Sequence, residues 1–171
     1  MLVILLCLPV SAQDKPPTGG QPWDLKYVAQ TGQFVFYDSP AGASTTGKPL
    51  DIGDFDNNGC GDVAITGQNA THALGTWRGS AGHLRIFMNA CPIGGKISMD
   101  DVSTQGRIFS IYGAYSGDMA GSETYVADFN DDGYDDLLFS AQNSDGPDQT
   151  RSNAGAVYLL FGGGTFAGHT D

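Results

Sequence analysis

A nine-residue acidic stretch, Asp54-Phe55-Asp56-Asn57-Asn58-Gly59-Cys60-Gly61-Asp62, returns 74 positions later as Asp128-Phe129-Asn130-Asp131-Asp132-Gly133-Tyr134-Asp135-Asp136. The same offset relates Gly32 to Gly106, Gly47 to Gly121 and Gln68-Asn69 to Gln142-Asn143. Shortened by a one-residue indel, it also relates Arg78 to Arg151 and Ala81-Gly82 to Ala154-Gly155. One spacing held over that length is duplication, and it constrains the fold strongly. The chain is built from two copies of one structural unit.

Within each unit the hydrophobic rhythm has period two. Phe34 and Phe36, Val63 and Ile65, and Leu84 and Ile86 alternate with other residues, as half-buried strands do. Leu137-Leu138-Phe139 and Val157-Tyr158-Leu159-Leu160-Phe161 are continuously apolar, which predicts strands covered on both faces. No window carries a long helical stripe, and 25 glycines with only 16% charged residues agree with turn-rich β structure. Each unit reads as a four-stranded antiparallel sheet. One strand follows Gly32 or Gly106, a second leads into the acidic loop, a third leaves it, and a fourth follows Ala81-Gly82 or Ala154-Gly155. A repeated sheet unit of this length points to propeller blades. Two blades alone would leave large apolar faces open, so the chain is expected to be part of a larger propeller.

The acidic loops carry the chemistry. Asp54, Asp56, Asn58 and Asp62 occupy positions 1, 3, 5 and 9 of the first, and Asp128, Asn130, Asp132 and Asp136 those of the second. Both sets offer only oxygen, the donor a hard cation such as Ca²⁺ takes. Gly59 and Gly133 at position 6 allow the left-handed backbone that bends a loop around an ion. An EF-hand is excluded, because its twelfth position requires Glu where this chain has Ile65 and Phe139, and because strands flank the loops.

The stretch Asp128-Phe129-Asn130-Asp131-Asp132-Gly133-Tyr134-Asp135-Asp136-Leu137-Leu138, with Ala154-Gly155-Ala156-Val157-Tyr158-Leu159-Leu160-Phe161-Gly162, resembles the FG-GAP repeat of integrin α subunits and of many secreted bacterial proteins. The likeness extends from about Gln33 to Phe166. It implies an all-β fold of two four-stranded antiparallel blades of the FG-GAP, integrin-α-type propeller, at 31–97 and 98–171. It also implies one Ca²⁺ in each hairpin loop, two sites in all. Carried onto this chain, the ligands are the side chains of Asp54, Asp56, Asn58 and Asp62 with the Cys60 carbonyl, then Asp128, Asn130, Asp132 and Asp136 with the Tyr134 carbonyl. The family's Gly-Ala-Pro after the loop strand appears here as Thr66-Gly67-Gln68 and Ser140-Ala141-Gln142, and its Phe-Gly before the loop is not evident. These departures point to a prokaryotic or divergent repeat protein and away from an animal adhesion receptor. The function implied is a calcium-binding propeller segment of a secreted or cell-surface protein, acting in adhesion or in protein or glycan recognition. The alternative is a non-catalytic propeller module of a secreted hydrolase or lyase whose catalytic domain lies outside this chain.

A net charge of −11 argues against nucleic acid or an anionic membrane as direct partner, since like fields repel. The apolar run Leu2 to Val10 is too short to span a bilayer. With Val10-Ser11-Ala12 before Gln13 it reads as a signal peptide over 1–12, followed by a Pro/Gly-rich leader over 13–30. The expected location is therefore extracellular, with the cell surface and periplasm included, and nothing later is apolar enough for membrane insertion. Cys60 and Cys91 would remain, either as a pair in an oxidising compartment or as two separate thiols. Asn69-Ala70-Thr71 is a glycosylation acceptor in a eukaryotic secretory route.

Gly42-Ala43-Ser44-Thr45-Thr46-Gly47-Lys48-Pro49 approaches a phosphate-binding loop, but Pro49 supplies no hydroxyl and no helix pattern follows. His72, His83 and His169 are scattered, and there is no G-x-S-x-G, H-E-x-x-H or C-x-x-C. An enzyme is therefore not expected. Trp23, Trp77, Tyr112 and Tyr115 read as blade packing, with a ligand-binding surface as the other reading.

Overall fold

The computed structural model describes residues 34–37, 49–71, 77–88, 95–98, 107–163 and 168–170. Within them lie β1 (Phe34–Tyr37), β2 (Leu50–Gly53), β3 (Asp62–Gly67), β4 (His83–Phe87), β5 (Gly95–Ser98), β6 (Ile108–Tyr112), β7 (Ala120–Ala127), β8 (Asp136–Ala141), β9 (Ala156–Leu160) and β10 (Gly168–Thr170). No α-helix occurs among the described residues. The signal and leader segments, Trp23, His72, Cys91 and residues 42–48 of the phosphate-loop lookalike lie outside them.

The chain divides into a small unit, Met1–Phe36 with Pro92–Ile97, and a large unit, Tyr37–Cys91 with Ser98–Asp171. β1 and β5 pair as a two-stranded sheet. The large unit contains a sheet in the order β10-β6-β4-β3-β2 and a second in the order β7-β8-β9. Apart from the parallel β10–β6 pair, both sheets are antiparallel. This is the all-β, propeller-blade architecture expected from the sequence. The first sheet has four antiparallel strands and the second, among the described residues, has three.

Sheet and sequence repeat are out of phase by one strand. β6, which follows Gly106 and opens the second sequence copy, pairs with β4 of the first copy, with His83 opposite Tyr112 and Phe87 opposite Ile108. β1, its counterpart after Gly32, pairs with β5 and not with β2, β3 or β4. Hairpin strands stay together because a short loop links them, whereas the outer strand is recruited across a long connection and can come from the next copy.

Each acidic loop is a hairpin tip. β2 and β3 close at Gly53 opposite Asp62, and β7 and β8 at Ala127 opposite Asp136. The faces that meet between the two sheets carry the core. Phe55, Ala64, Leu84, Ile86, Met88 and Phe109 pack with Leu137 and Phe139, flanked by Ile111, Val126 and Leu160. Thr124 adds a hydroxyl bond from β7 to the Asp51 carboxylate on β2.

Two periodicity expectations are reversed. β3 and β4, whose alternation predicted one wet face, are buried along their whole length. β9, whose continuous apolar run predicted cover on both faces, is mostly exposed: Val157 is 66% accessible and Tyr158 44%. The cause is position within a sheet. β3 and β4 are interior strands, whereas β9 is an edge strand among the described residues.

Candidate metal centre

The two acidic loops fold onto one scaffold of hydrogen bonds. At position 1, Asp54 accepts the N–H of Asn58 at 3.0 Å and of Gly59 at 2.8 Å. Asp128 accepts the N–H of Asp132 at 3.1 Å and of Gly133 at 2.8 Å. At position 5, Asn58 accepts the Cys60 N–H at 2.8 Å and Asp132 the Tyr134 N–H at 3.0 Å. At position 9, Asp62 and Asp136 are fully buried, and each accepts the N–H of position 2, Phe55 or Phe129, at 2.8 Å. Short side chains bonded back to nearby N–H groups are the natural chemistry of Asp and Asn in turns.

Backbone geometry repeats as well. Gly59 and Gly133 have φ of 81° and 89°, as position 6 was expected to require. Position 4 is also left-handed, with Asn57 at 51° and Asp131 at 62°. Sequence reasoning passed over position 4, although Asn and Asp are the non-glycine residues that most readily adopt this conformation.

The loops differ in how far their carboxylates converge. Oxygens of Asp54, Asp56 and Asp62 lie within 4.8 Å of one another, the one such trio of acidic side chains among the described residues. In the second loop position 3 is Asn130, whose side-chain amide donates to Asp132 at 2.8 Å and whose carbonyl accepts the Asp132 N–H at 3.1 Å. An amide in place of a carboxylate bridges its neighbour and relieves repulsion without an ion. Four N–H groups, led by Gly133, surround Asp128; the Gly133 bond is the chief cause that holds its pKa below the ordinary 3.8. Three carboxylates within 4.8 Å of one another repel by roughly 1 to 4 kcal/mol per pair, depending on local dielectric. A donor set of oxygens alone, so placed, fits a hard divalent cation.

Cys60 at position 7 is disulfide-bonded. Of the sequence candidates elsewhere, His83 and Tyr112 are buried and meet edge to face at 6.4 Å, so they belong to the packing. Trp77 and Tyr115 are exposed. A separate cavity of about 340 Å³ lies between the end of β6 and the β8–β9 pair, walled by Tyr112, Phe139, Tyr158 and Leu160. Phe139 stacks on Tyr158 there at 5.3 Å. Asp118 borders it; burial, opposed by the Tyr115 N–H bond and aided by the nearby Asp145 charge, raises its pKa above 3.8.

Residues 120–160 match the FG-GAP repeat family. The match runs from the start of β7 through the second acidic loop and β8 to the end of β9. No curated protein matches the chain. The hairpin with its acidic tip, the strand that follows and the family match agree, and on that agreement residues 120–160 form an FG-GAP repeat.

Proposed function

We propose that this chain is a calcium-stabilised propeller segment of an exported protein, and that its role is recognition of a protein or glycan partner and not catalysis. The observation that carries the reading is the shared scaffold of the two loops, together with the convergence of Asp54, Asp56 and Asp62 in the first. The proposed ligands are Asp54, Asp56, Asn58 and Asp62 with the Cys60 carbonyl, and Asp128, Asn130, Asp132 and Asp136 with the Tyr134 carbonyl. Calcium offsets the mutual repulsion of these groups and holds each hairpin closed. Magnesium suits the set less well, since it demands a tighter octahedron and releases its water reluctantly.

Further blades of the same protein are the first partner. Phe55 at loop position 2 is 1% exposed in the core between the sheets, whereas its counterpart Phe129 is 47% exposed. Tyr125, Val157 and Phe161 are also exposed around the second sheet. A third sheet stacked on the second would cover Phe129 as the second covers Phe55. The disulfide at Cys60 supports an oxidising, extracytoplasmic location. No described helix is long and apolar enough to cross a membrane.

Calorimetry of calcium binding to the full chain tests the metal assignment. Two ions per chain are expected, and one after Asp132→Ala. An enthalpy trace indistinguishable from buffer would remove calcium from the account.

A further inference from the structure

We propose that Asp135, at position 8 of the second loop, is a positioning residue for the first loop, so that calcium in one loop raises the calcium affinity of the other. This rests on the calcium reading of both loops and adds an energetic coupling between them. Asp135 is not among the proposed ligands. Its counterpart in the first copy is Gly61, so the repeated ligand pattern gives no reason for a carboxylate here.

The Asp135 side chain reaches across to the other hairpin. Its Oδ2 accepts the Asp54 N–H at 2.7 Å, and the Asp135 N–H donates to the Asp54 carbonyl at 3.3 Å. Asp54 is position 1 of the first loop, and its carboxylate is already aimed by the Asn58 and Gly59 N–H groups. Fixing the Asp54 main chain therefore fixes the start of that loop. A second tie runs through the segment after β9. The Gly162 N–H donates to Asp136 Oδ1 at 2.7 Å, and the next N–H, of Gly163, donates to the Phe55 carbonyl at 2.8 Å. Two adjacent residues thus hold position 9 of one loop and position 2 of the other. A Cβ at Gly162 would lie 2.3 Å from the Asp135 carbonyl oxygen, so only glycine permits this approach.

Asp136, the ligand that closes the second loop, is the chain neighbour of Asp135. An ion held by Asp136 restricts Asp135, and a restricted Asp135 removes part of the ordering cost of Asp54. Linkage makes the effect reciprocal: each ion raises the affinity of the other site by the same factor. A charge-assisted hydrogen bond at a half-buried site sets the size at about tenfold.

The test is a calcium titration of the full chain by NMR, following the Gly59 and Gly133 amides. Each donates at 2.8 Å to the position-1 carboxylate of its own loop and so reports that loop separately. Asp135→Ala is expected to move the Gly59 midpoint to about tenfold higher calcium. Asp135→Asn, which keeps an acceptor oxygen for the Asp54 N–H, restores part of the loss. Asp132→Ala, which disables the second loop, shifts the Gly59 midpoint upward in the parent chain but not in the Asp135→Ala background. That first Asp132 arm needs no change at Asp135, so it decides the matter even if Asp135→Ala does not fold. A Gly59 midpoint unmoved by Asp135→Ala, or unmoved by Asp132→Ala in the parent chain, overturns the coupling and leaves the calcium reading standing. Amides that ignore calcium in the parent chain overturn both.

Discussion

Asp56 and Asp62 both belong to the converging trio of the first loop, yet they do different work. Asp62 is buried and bonded to the Phe55 N–H, so it holds the hairpin with or without an ion, whereas Asp56 is only half-buried. Asp62→Ala is expected to lower stability by about 1 to 3 kcal/mol even in EDTA, through the unsatisfied buried N–H it leaves. Asp56→Ala is expected to raise the EDTA melting temperature, by relieving carboxylate repulsion, and to shrink the calcium-induced increment. Urea melts with and without calcium separate the two. Gly133→Ala forces a side chain into the left-handed region at φ 89° and is expected to cost about 1 to 2 kcal/mol in the same assay. Asp118 gives a pH signature of opposite sign to Asp128. Its folded pKa is raised, so its contribution is least unfavourable below the ordinary 3.8 and worsens as pH rises through the raised folded value. Asp118→Asn is therefore expected to raise the melting temperature at pH 7, with the gain fading below pH 3.8. Asp128, with its pKa lowered, stabilises above 3.8 and loses that contribution as pH falls through the folded value.

Hairpins are the elements that the sequence specifies most directly. Alternation in Val63 and Ile65 and the eight-residue loop between β2 and β3 are local signals, and so is the spacing of Asp54, Asp56, Asn58 and Asp62. Asp135 was not legible, because its role depends on which loop lies opposite it, and that is a tertiary fact. The phase of β6 escaped for the same reason: a strand's own pattern states that it pairs, not with whom. Burial of β3 and exposure of β9 were reversed because both carry similar apolar content and differ only in place within a sheet. The two position-2 aromatics turn this into a measurement. Phe55→Ala opens a cavity in the core between the sheets and is expected to cost about 3 to 5 kcal/mol. Phe129→Ala, at an exposed counterpart, is expected to stay within about 0.5 kcal/mol. Equal losses would show that the two hairpins are packed alike.

At the scale of the whole molecule, two sheets share one core and their acidic tips lie in hydrogen-bond contact through Asp54 and Asp135. The exposed Tyr125, Val157 and Phe161 mark the side on which repetition would continue. Net charge of −11, with much of it gathered in the loops, underlies the proposal that the folded state gains from divalent counter-ions. The most direct measurement of that claim is thermal unfolding of the full chain, followed from EDTA into saturating calcium, beside Asp132→Asn and the control Asp131→Asn. The account predicts a rise in melting temperature with calcium that is cut by Asp132→Asn and kept by Asp131→Asn. A parent chain that melts at one temperature in EDTA and in calcium would contradict it.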